Sequence, residues 1–290
     1  MNFACTTITP PERTSSPPQQ NQDPNIITIN SGGIQRQFTL YIPPSLDIAS
    51  ESYPAVIAFH GAGGTGDGFQ NYYRFDSIAD SLGYIIAYPS SFENVWIEEI
   101  ADSLSGYEAN DLLFTSDLID YLKDSLNVRE DGIFTVGYSS GGIFVHSLAN
   151  KLSGRIAAYS AYGAAMSSLI YYNIKTPNNT PVIMFHGTDD SALPWEGTER
   201  IDEFYYMSQD ENLEKTLFHN GCSKSDSTIT YLPDIANDGI TVRKEEYRNS
   251  AKEVLVEFYA IIGGFHSWYY GDIIPEEEIM AFFNRILNKS

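Results

Sequence analysis

The chain reads as a single α/β domain built on an open, mostly parallel sheet with helices on both faces. Three observations predict it. From Pro54 onward, short runs rich in Val, Ile, Ala and Phe alternate with amphipathic stretches. This is the pattern of strands buried on both faces and joined by crossover helices. A hairpin signal precedes the alternation, so the sheet should open with two antiparallel strands. With 290 residues, 42% of them hydrophobic and 13% aromatic, the chain can fill one sizeable core.

Residues 1–25 carry five of the fourteen prolines among Thr, Ser and Gln, and read as a disordered leader. Order is expected from residue 26 to residue 290, with no internal repeat and no linker to divide it. Ile26 to Asn30 and Gln37 to Ile42 flank Ser31-Gly32-Gly33 as a hairpin, and Pro43-Pro44 stops the second strand. Pro54 to His60 is a nearly continuous apolar strand that runs into a glycine-rich loop, Gly61 to Gly68. Arg74 to Leu82 is helical with Gly83 as its cap, and Tyr84 to Tyr88 is the next strand, closed by Pro89. Asp111 to Leu126 is predicted as a helix with Leu112, Leu113, Leu118, Ile119, Leu122 and Leu126 on one face. Ile133 to Tyr138 is a strand followed by a helix over Gly142 to Leu152. Pro181 to His186 and Val254 to Ile262 are further strands, and Ile279 to Leu287 closes the chain as a helix. Residues 198–250 are the most irregular part and leave a lid open.

Composition excludes some classes of function. The net charge of −21, from 38 acidic and 17 basic residues, disfavours phosphate backbones and anionic membrane surfaces, so no nucleic-acid partner is expected. No apolar run approaches the length of a transmembrane span. Met1 to Cys5 lacks the regions of a signal peptide, and lipid attachment at Cys5 stays open. The two cysteines, Cys5 and Cys222, have no metal-ligand spacing and read as free thiols.

The sharpest motif is Gly137-Tyr138-Ser139-Ser140-Gly141, a G-x-S-x-G directly between a strand and a helix. In that context the serine sits on a strained turn that lifts its oxygen clear of the sheet. A hydroxyl is a weak nucleophile and needs a base held by an acid. Reading the carboxyl ends of the strands in order supplies both: Asp189-Asp190 after His186, then His266 after Ile262. The acid stands 51 residues after the serine and the histidine 76 further on, so each gap holds at least one crossover unit. The order Ser, acid, His belongs to α/β-hydrolases. Ser139 would attack an acyl carbon, His266 would take and return its proton, and Asp190, fourth in its G-x-x-D turn, would orient the imidazole. Asp189 stays an alternative acid. The N–H of Ser140 and that of Ala62, in the loop His60 to Gly64, are the expected oxyanion donors.

Other residues are weighed beside these. His60 and His186 end buried strands and are expected to bond loop backbone. His146 should lie on a helix face and His219 in a surface loop. Trp195, Trp268 and Trp96 follow strand ends and are candidate substrate contacts. No H-E-x-x-H or close histidine pair exists, so no metal is expected. Glu98-Glu99 and Glu276 to Glu278 read as solvated surface and an acidic helix N-terminus.

With these residues in view, the chain resembles the esterase family of polyhydroxybutyrate depolymerases and bacterial feruloyl and acetylxylan esterases. The resemblance rests on His60-Gly-Ala-Gly-Gly64, Ala87-Tyr-Pro89 with Trp96, and Gly137 to Gly142. It also rests on His186 to Asp190 with Pro194-Trp-Glu-Gly197, and on Gly263-Gly-Phe-His266-Ser-Trp268. It spans residues 26–287 and implies a cofactor-free serine hydrolase of carboxylic esters, secreted, periplasmic or surface-tethered, with Asp190 rather than Asp189 as the acid. The family often bonds a cysteine in an Asn-Gly-Cys segment, here Asn220 to Cys222, to a second cysteine. Ser250 stands at the second position, so that disulfide is not expected. The substrate implied is a small or polymeric ester, with feruloyl esters of plant polysaccharide preferred. Polyester and acetylxylan cleavage are the near alternatives; a serine peptidase and a non-catalytic binding protein are the alternatives of other classes. Oligomeric state is not read from the sequence.

Overall fold

The structure is a computed structural model that describes residues 25–92, 94–96, 110–200 and 204–288. Among these residues ten strands form one sheet. They are β1 (Ile26–Ser31), β2 (Ile34–Tyr41), β3 (Tyr53–Phe59), β4 (Ile85–Pro89), β5 (Val128–Tyr138), β6 (Ala158–Tyr162), β7 (Val182–Gly187), β8 (Cys222–Tyr231), β9 (Thr241–Asn249) and β10 (Val254–Ile262). The spatial order is β1-β2-β4-β3-β5-β6-β7-β10-β9-β8. The six central strands, β4 through β10, are parallel neighbours, and an antiparallel pair flanks each side. The α/β-hydrolase fold class predicted above is therefore the one observed.

The helices are α1 (Gly66–Tyr72), α2 (Phe75–Leu82), α3 (Asp111–Leu126), α4 (Ser140–Lys151), α5 (Ser168–Asn173), α6 (Gln209–His219) and α7 (Pro275–Leu287). They divide between the two faces because side chains alternate along a strand. Ala55, Ile57 and Phe59 of β3 join Phe114, Leu118 and Leu122 of α3 and Phe144, Val145 and Leu148 of α4 in one apolar layer. Val56 and Ala58 join Phe75 of α2 and Ile279, Phe282 and Phe283 of α7 in the other.

Several expectations need correction. Helix α3 buries Phe114, Thr115 and Leu118, while Leu113 is 40% exposed, so the apolar stripe is turned from the one predicted. The glycine-rich loop gives way to α1 at Gly66, where the Thr65 hydroxyl accepts from the Gly68 N–H at 3.2 Å. Strand β6, Ala-Tyr-Ser-Ala-Tyr, lacked the apolar run expected of a strand buried on both faces, yet it lies mid-sheet, fully buried. In the stretch 198–250, α6 joins the α3/α4 layer through Leu213 and Leu217, and β8 and β9 extend the sheet edge.

The leader assigned to residues 1–25, with Cys5, lies outside the described residues except for Asn25, whose carbonyl accepts from the Leu40 N–H. Glu98-Glu99 also lies outside them. Among the described residues no helix is long and apolar enough to cross a membrane.

Candidate active site

The sheet reverses its winding at β3. The chain passes from β3 to β4 on one side, then returns to place β5 on the other. Loops diverge at such a point and leave a crevice beyond the carboxyl ends of the strands. The turns after β3 and β5 meet there.

Ser139 occupies the β5–α4 turn with φ 55° and ψ −119°. A non-glycine residue at such angles stores strain on the order of 1–3 kcal/mol. Two backbone bonds hold it: the Ser139 N–H donates to the Tyr162 carbonyl, and its carbonyl accepts from Ile143, both at 2.9 Å. The flanking glycines answer to contact. A Cβ on Gly137 would stand 2.1 Å from the Gly141 oxygen, and one on Gly141 would stand 2.3 Å from the Phe59 oxygen. The motif is thus a steric requirement of a tight turn wedged against β3.

His266 Nε2 lies 3.0 Å from Ser139 Oγ, and His266 Nδ1 lies 2.7 Å from Asp190 Oδ2. Asp190 and His266 meet because β7 and β10 are parallel neighbours, while the intervening β8 and β9 fold outward to the edge. Their loops are sewn together: Thr188 N–H donates to the Ile261 carbonyl, Asp189 N–H to Gly264, and Gly263 N–H to Thr188 Oγ1. The Asp190 carboxylate is sealed from solvent, its Oδ1 accepting from the N–H groups of Ala192 and Leu193 at 2.9 and 2.8 Å. Asp189 is exposed and its side chain bonds Thr188. Of the two neighbouring acids, Asp190 is the one against His266. The Tyr138 hydroxyl donates to the His266 carbonyl at 3.0 Å, and its ring stacks 5.4 Å from the imidazole. Burial and the Asp190 charge raise the Tyr138 pKa, keeping that phenol neutral and a donor.

The loop after β3 is braced by Gly64 N–H to the Gly61 carbonyl and Gly63 N–H to the Asn94 carbonyl. The Ala62 N–H has no acceptor among the described residues. Ser140, first residue of α4, has an N–H with no intrahelical acceptor. His60 fixes this loop from below. Its Nδ1 lies 2.7 Å from the Gly61 carbonyl and its Nε2 accepts from the Ser91 N–H at 3.2 Å. That pair of bonds requires the neutral ring with its proton on Nδ1, and burial lowers the His60 pKa in the same direction.

A cavity of about 690 Å³ opens beside His266. Gly61 to Gly64, Phe69, Tyr72, Tyr73, Tyr138 and Trp268 line it. Its size lies in the range of small-ligand pockets, about 300–1,000 Å³. Trp268 is here, stacked 4.2 Å from Tyr162. The other two tryptophans are not. Trp96 is 4% exposed, packs between Phe59 and Phe144, and donates Nε1–H to the His60 carbonyl. Trp195 faces a separate hollow beside Asp189, Glu196 and Arg243 and rests on Phe258. Both stand where a large apolar ring finds core contacts, away from this cavity. The aromatic residues Phe69, Tyr72 and Tyr73 escaped the sequence reading. Their i, i+3, i+4 spacing after the glycine loop was the available signal.

The remaining histidines are buried. His186 Nε2 lies 2.8 Å from the Leu193 carbonyl, as expected of a loop brace. His146 faces Tyr159 across 3.2 Å. His219, expected on a surface loop, ends α6 in full burial.

Comparison with known proteins agrees with this architecture. Residues 48–229 match the phospholipase/carboxylesterase family. A bifunctional acetylxylan esterase/xylanase of Neocallimastix patriciarum is 23% identical over 206 residues, covering 69% of this chain and 29% of that protein. Feruloyl esterase B of Thermothelomyces thermophilus is 26% identical over 162 residues, 55% of each chain. The chain thus spans about half or less of the length of these relatives. Among solved structures, an acetyl xylan esterase from Aspergillus awamori superposes with a TM-score of 0.64 at 14% identity, over 89% of this chain and 98% of that one. That likeness is one of fold. On the family match across most of its length, the chain belongs to the phospholipase/carboxylesterase family of α/β-hydrolases.

Proposed function

We propose that the protein hydrolyses carboxylic esters through a serine-bound acyl intermediate, with residues 26–290 as one catalytic domain. The observation that carries this is the continuous hydrogen-bond path from Ser139 Oγ through His266 to Asp190. Ser139 Oγ attacks the ester carbon while His266 Nε2 takes its proton. Asp190 holds the ring with Nδ1–H pointing at its carboxylate and stabilises the imidazolium that forms. The Ala62 and Ser140 N–H groups receive the negative charge that develops on the carbonyl oxygen. His266 then protonates the departing alkoxide, and a water, activated by the same ring, releases the acid and restores Ser139.

The preferred substrate is an ester with an aromatic acyl group, such as a feruloyl ester of plant polysaccharide. The aromatic lining of the cavity and the relatives named as feruloyl esterases support this reading. Such substrates lie outside cells, so the protein acts there on this reading; cell fractionation with activity assay tests it. Acetyl esters are the nearest alternative, supported by the relative named for acetylxylan.

The test compares p-nitrophenyl acetate, methyl ferulate and acetylated xylan as substrates for the wild type and Ser139→Ala. Turnover of methyl ferulate by wild type and a fall of at least about a thousandfold in the variant are expected. Equal activity in wild type and variant would sink the mechanism, and activity on acetyl esters alone would sink the acyl assignment.

A further inference from the structure

We propose that Tyr73 reads a hydroxyl on the far side of the acyl ring, making 4-hydroxyaryl acyl esters the preferred class. This rests on the aromatic-acyl reading above. Several polar side-chain groups around the cavity have protein partners: the Tyr138 hydroxyl bonds the His266 carbonyl, and both ring nitrogens of His60 and of His266 are engaged, whereas the buried Trp268 Nε1–H has none. The Tyr73 hydroxyl has no hydrogen-bond partner among the described residues. Nor is it sealed in the core, as the unpartnered Tyr84 hydroxyl is. The ring is half-buried and lines the cavity, pressed against Phe69 at 4.3 Å and Trp268 at 4.5 Å.

Position suits the role. His266 and Tyr73 both line the cavity and share Tyr138 as a neighbour, its ring centroid 5.4 Å from the His266 ring and 6.2 Å from the Tyr73 ring. An aryl-propenoyl group, one ring on a rigid three-carbon arm, places its carbonyl at one end of such a slot and its para substituent at the other. A pocket lined mainly by aromatic rings cannot by itself distinguish a hydroxylated ring from a bare one, because both bury similar area. A half-buried phenol left without a partner discriminates in favour of the substrate that completes its hydrogen bond. Burial, and after it the neighbouring Tyr138, Tyr72 and Glu276, raise the Tyr73 pKa, so the hydroxyl keeps its proton and can donate as well as accept.

The experiment measures kcat/KM for methyl 4-hydroxycinnamate and methyl cinnamate with wild type and Tyr73→Phe. The ratio of the two substrates within one preparation cancels the folded fraction, so a partly misfolded variant still answers. Wild type should prefer the hydroxylated ester about 5- to 10-fold, and Tyr73→Phe should bring the ratio close to one. Wild type that cleaves both esters without preference overturns the proposal while leaving the aromatic-acyl reading intact. So does a preference that survives in Tyr73→Phe. Failure to cleave either ester, with p-nitrophenyl acetate turned over, overturns that reading and this inference with it.

Discussion

At the scale of single residues, two acids stand side by side in the β7 loop, and their different surroundings give them different chemistry. Asp190 is closed off from water and spends its two oxygens on backbone donors and on His266; Asp189 faces solvent. Replacing Asp190 with Asn removes the acceptor that fixes the imidazole tautomer. On the proposed mechanism, kcat should fall by a factor of about a thousand or more. Asp189→Asn should leave kcat within about threefold of wild type, since surface changes away from such features cost little. Steady-state kinetics of both variants check this, and a larger loss in Asp189→Asn would reverse the assignment. The serine, the acid pair and the histidine were all legible in the sequence, because the chemistry restricts which residue types can serve and the fold restricts their order. Which acid stands against His266 was a matter of side-chain direction in a turn. The three tryptophans were alike as candidates in the sequence, yet only Trp268 lines the cavity beside His266.

At the scale of elements, the leading hairpin is fastened to helix α3 through a buried ion pair. Arg36 of β2 and Asp111 at the start of α3 approach to 2.5 Å, both almost wholly buried. The guanidinium also lies 4.0 Å over the Phe114 ring. Removing one partner leaves an uncompensated charge in the interior, so Arg36→Ala should destabilise the protein by about 3–5 kcal/mol. The double replacement Arg36→Met with Asp111→Leu should recover most of that loss, since an apolar pair of similar volume needs no desolvation. Denaturant midpoints at constant m-value measure both. A single substitution costing under about 1 kcal/mol would show that the pair contributes little. The sequence marked the hairpin and α3 separately; their junction was invisible, because Arg36 and Asp111 stand 75 residues apart in the chain.

At the scale of the whole molecule, two neutral histidines are shut inside the layer between sheet and helices. Burial lowers the pKa of His146 to about 3 and that of His219 to about 4, and His146 feels His219 as a neighbouring charge. Unfolded histidine titrates near pH 6.5. Above that pH neither state binds the protons and the stability is complete. As pH falls below 6.5 the unfolded chain takes up two protons that the folded one refuses until about pH 4 and 3. Stability should therefore drop by about 1.4 kcal/mol per pH unit for each histidine across that window. Urea titrations at pH 7, 6 and 5 test this, and His146→Phe should make the dependence shallower by one group. An unchanged slope in that variant would remove His146 from the account.

Residue periodicity and motif chemistry in the sequence determined the α/β class, the hairpin, the strand ends and the serine turn. These are local properties: a buried parallel strand must be apolar throughout, and a turn as tight as Gly137 to Gly141 tolerates no Cβ at its flanks. Tertiary structure decided the rest. Strand β6, with Ser160 in its centre, became a strand because β5 and β7 pair with its backbone on both sides. His219 became a core residue through the docking of α6, and the wall of Phe69, Tyr72, Tyr73 and Trp268 was assembled from segments nearly two hundred residues apart. Which way a ring faces depends on what packs against it, and that partner is named only by the fold.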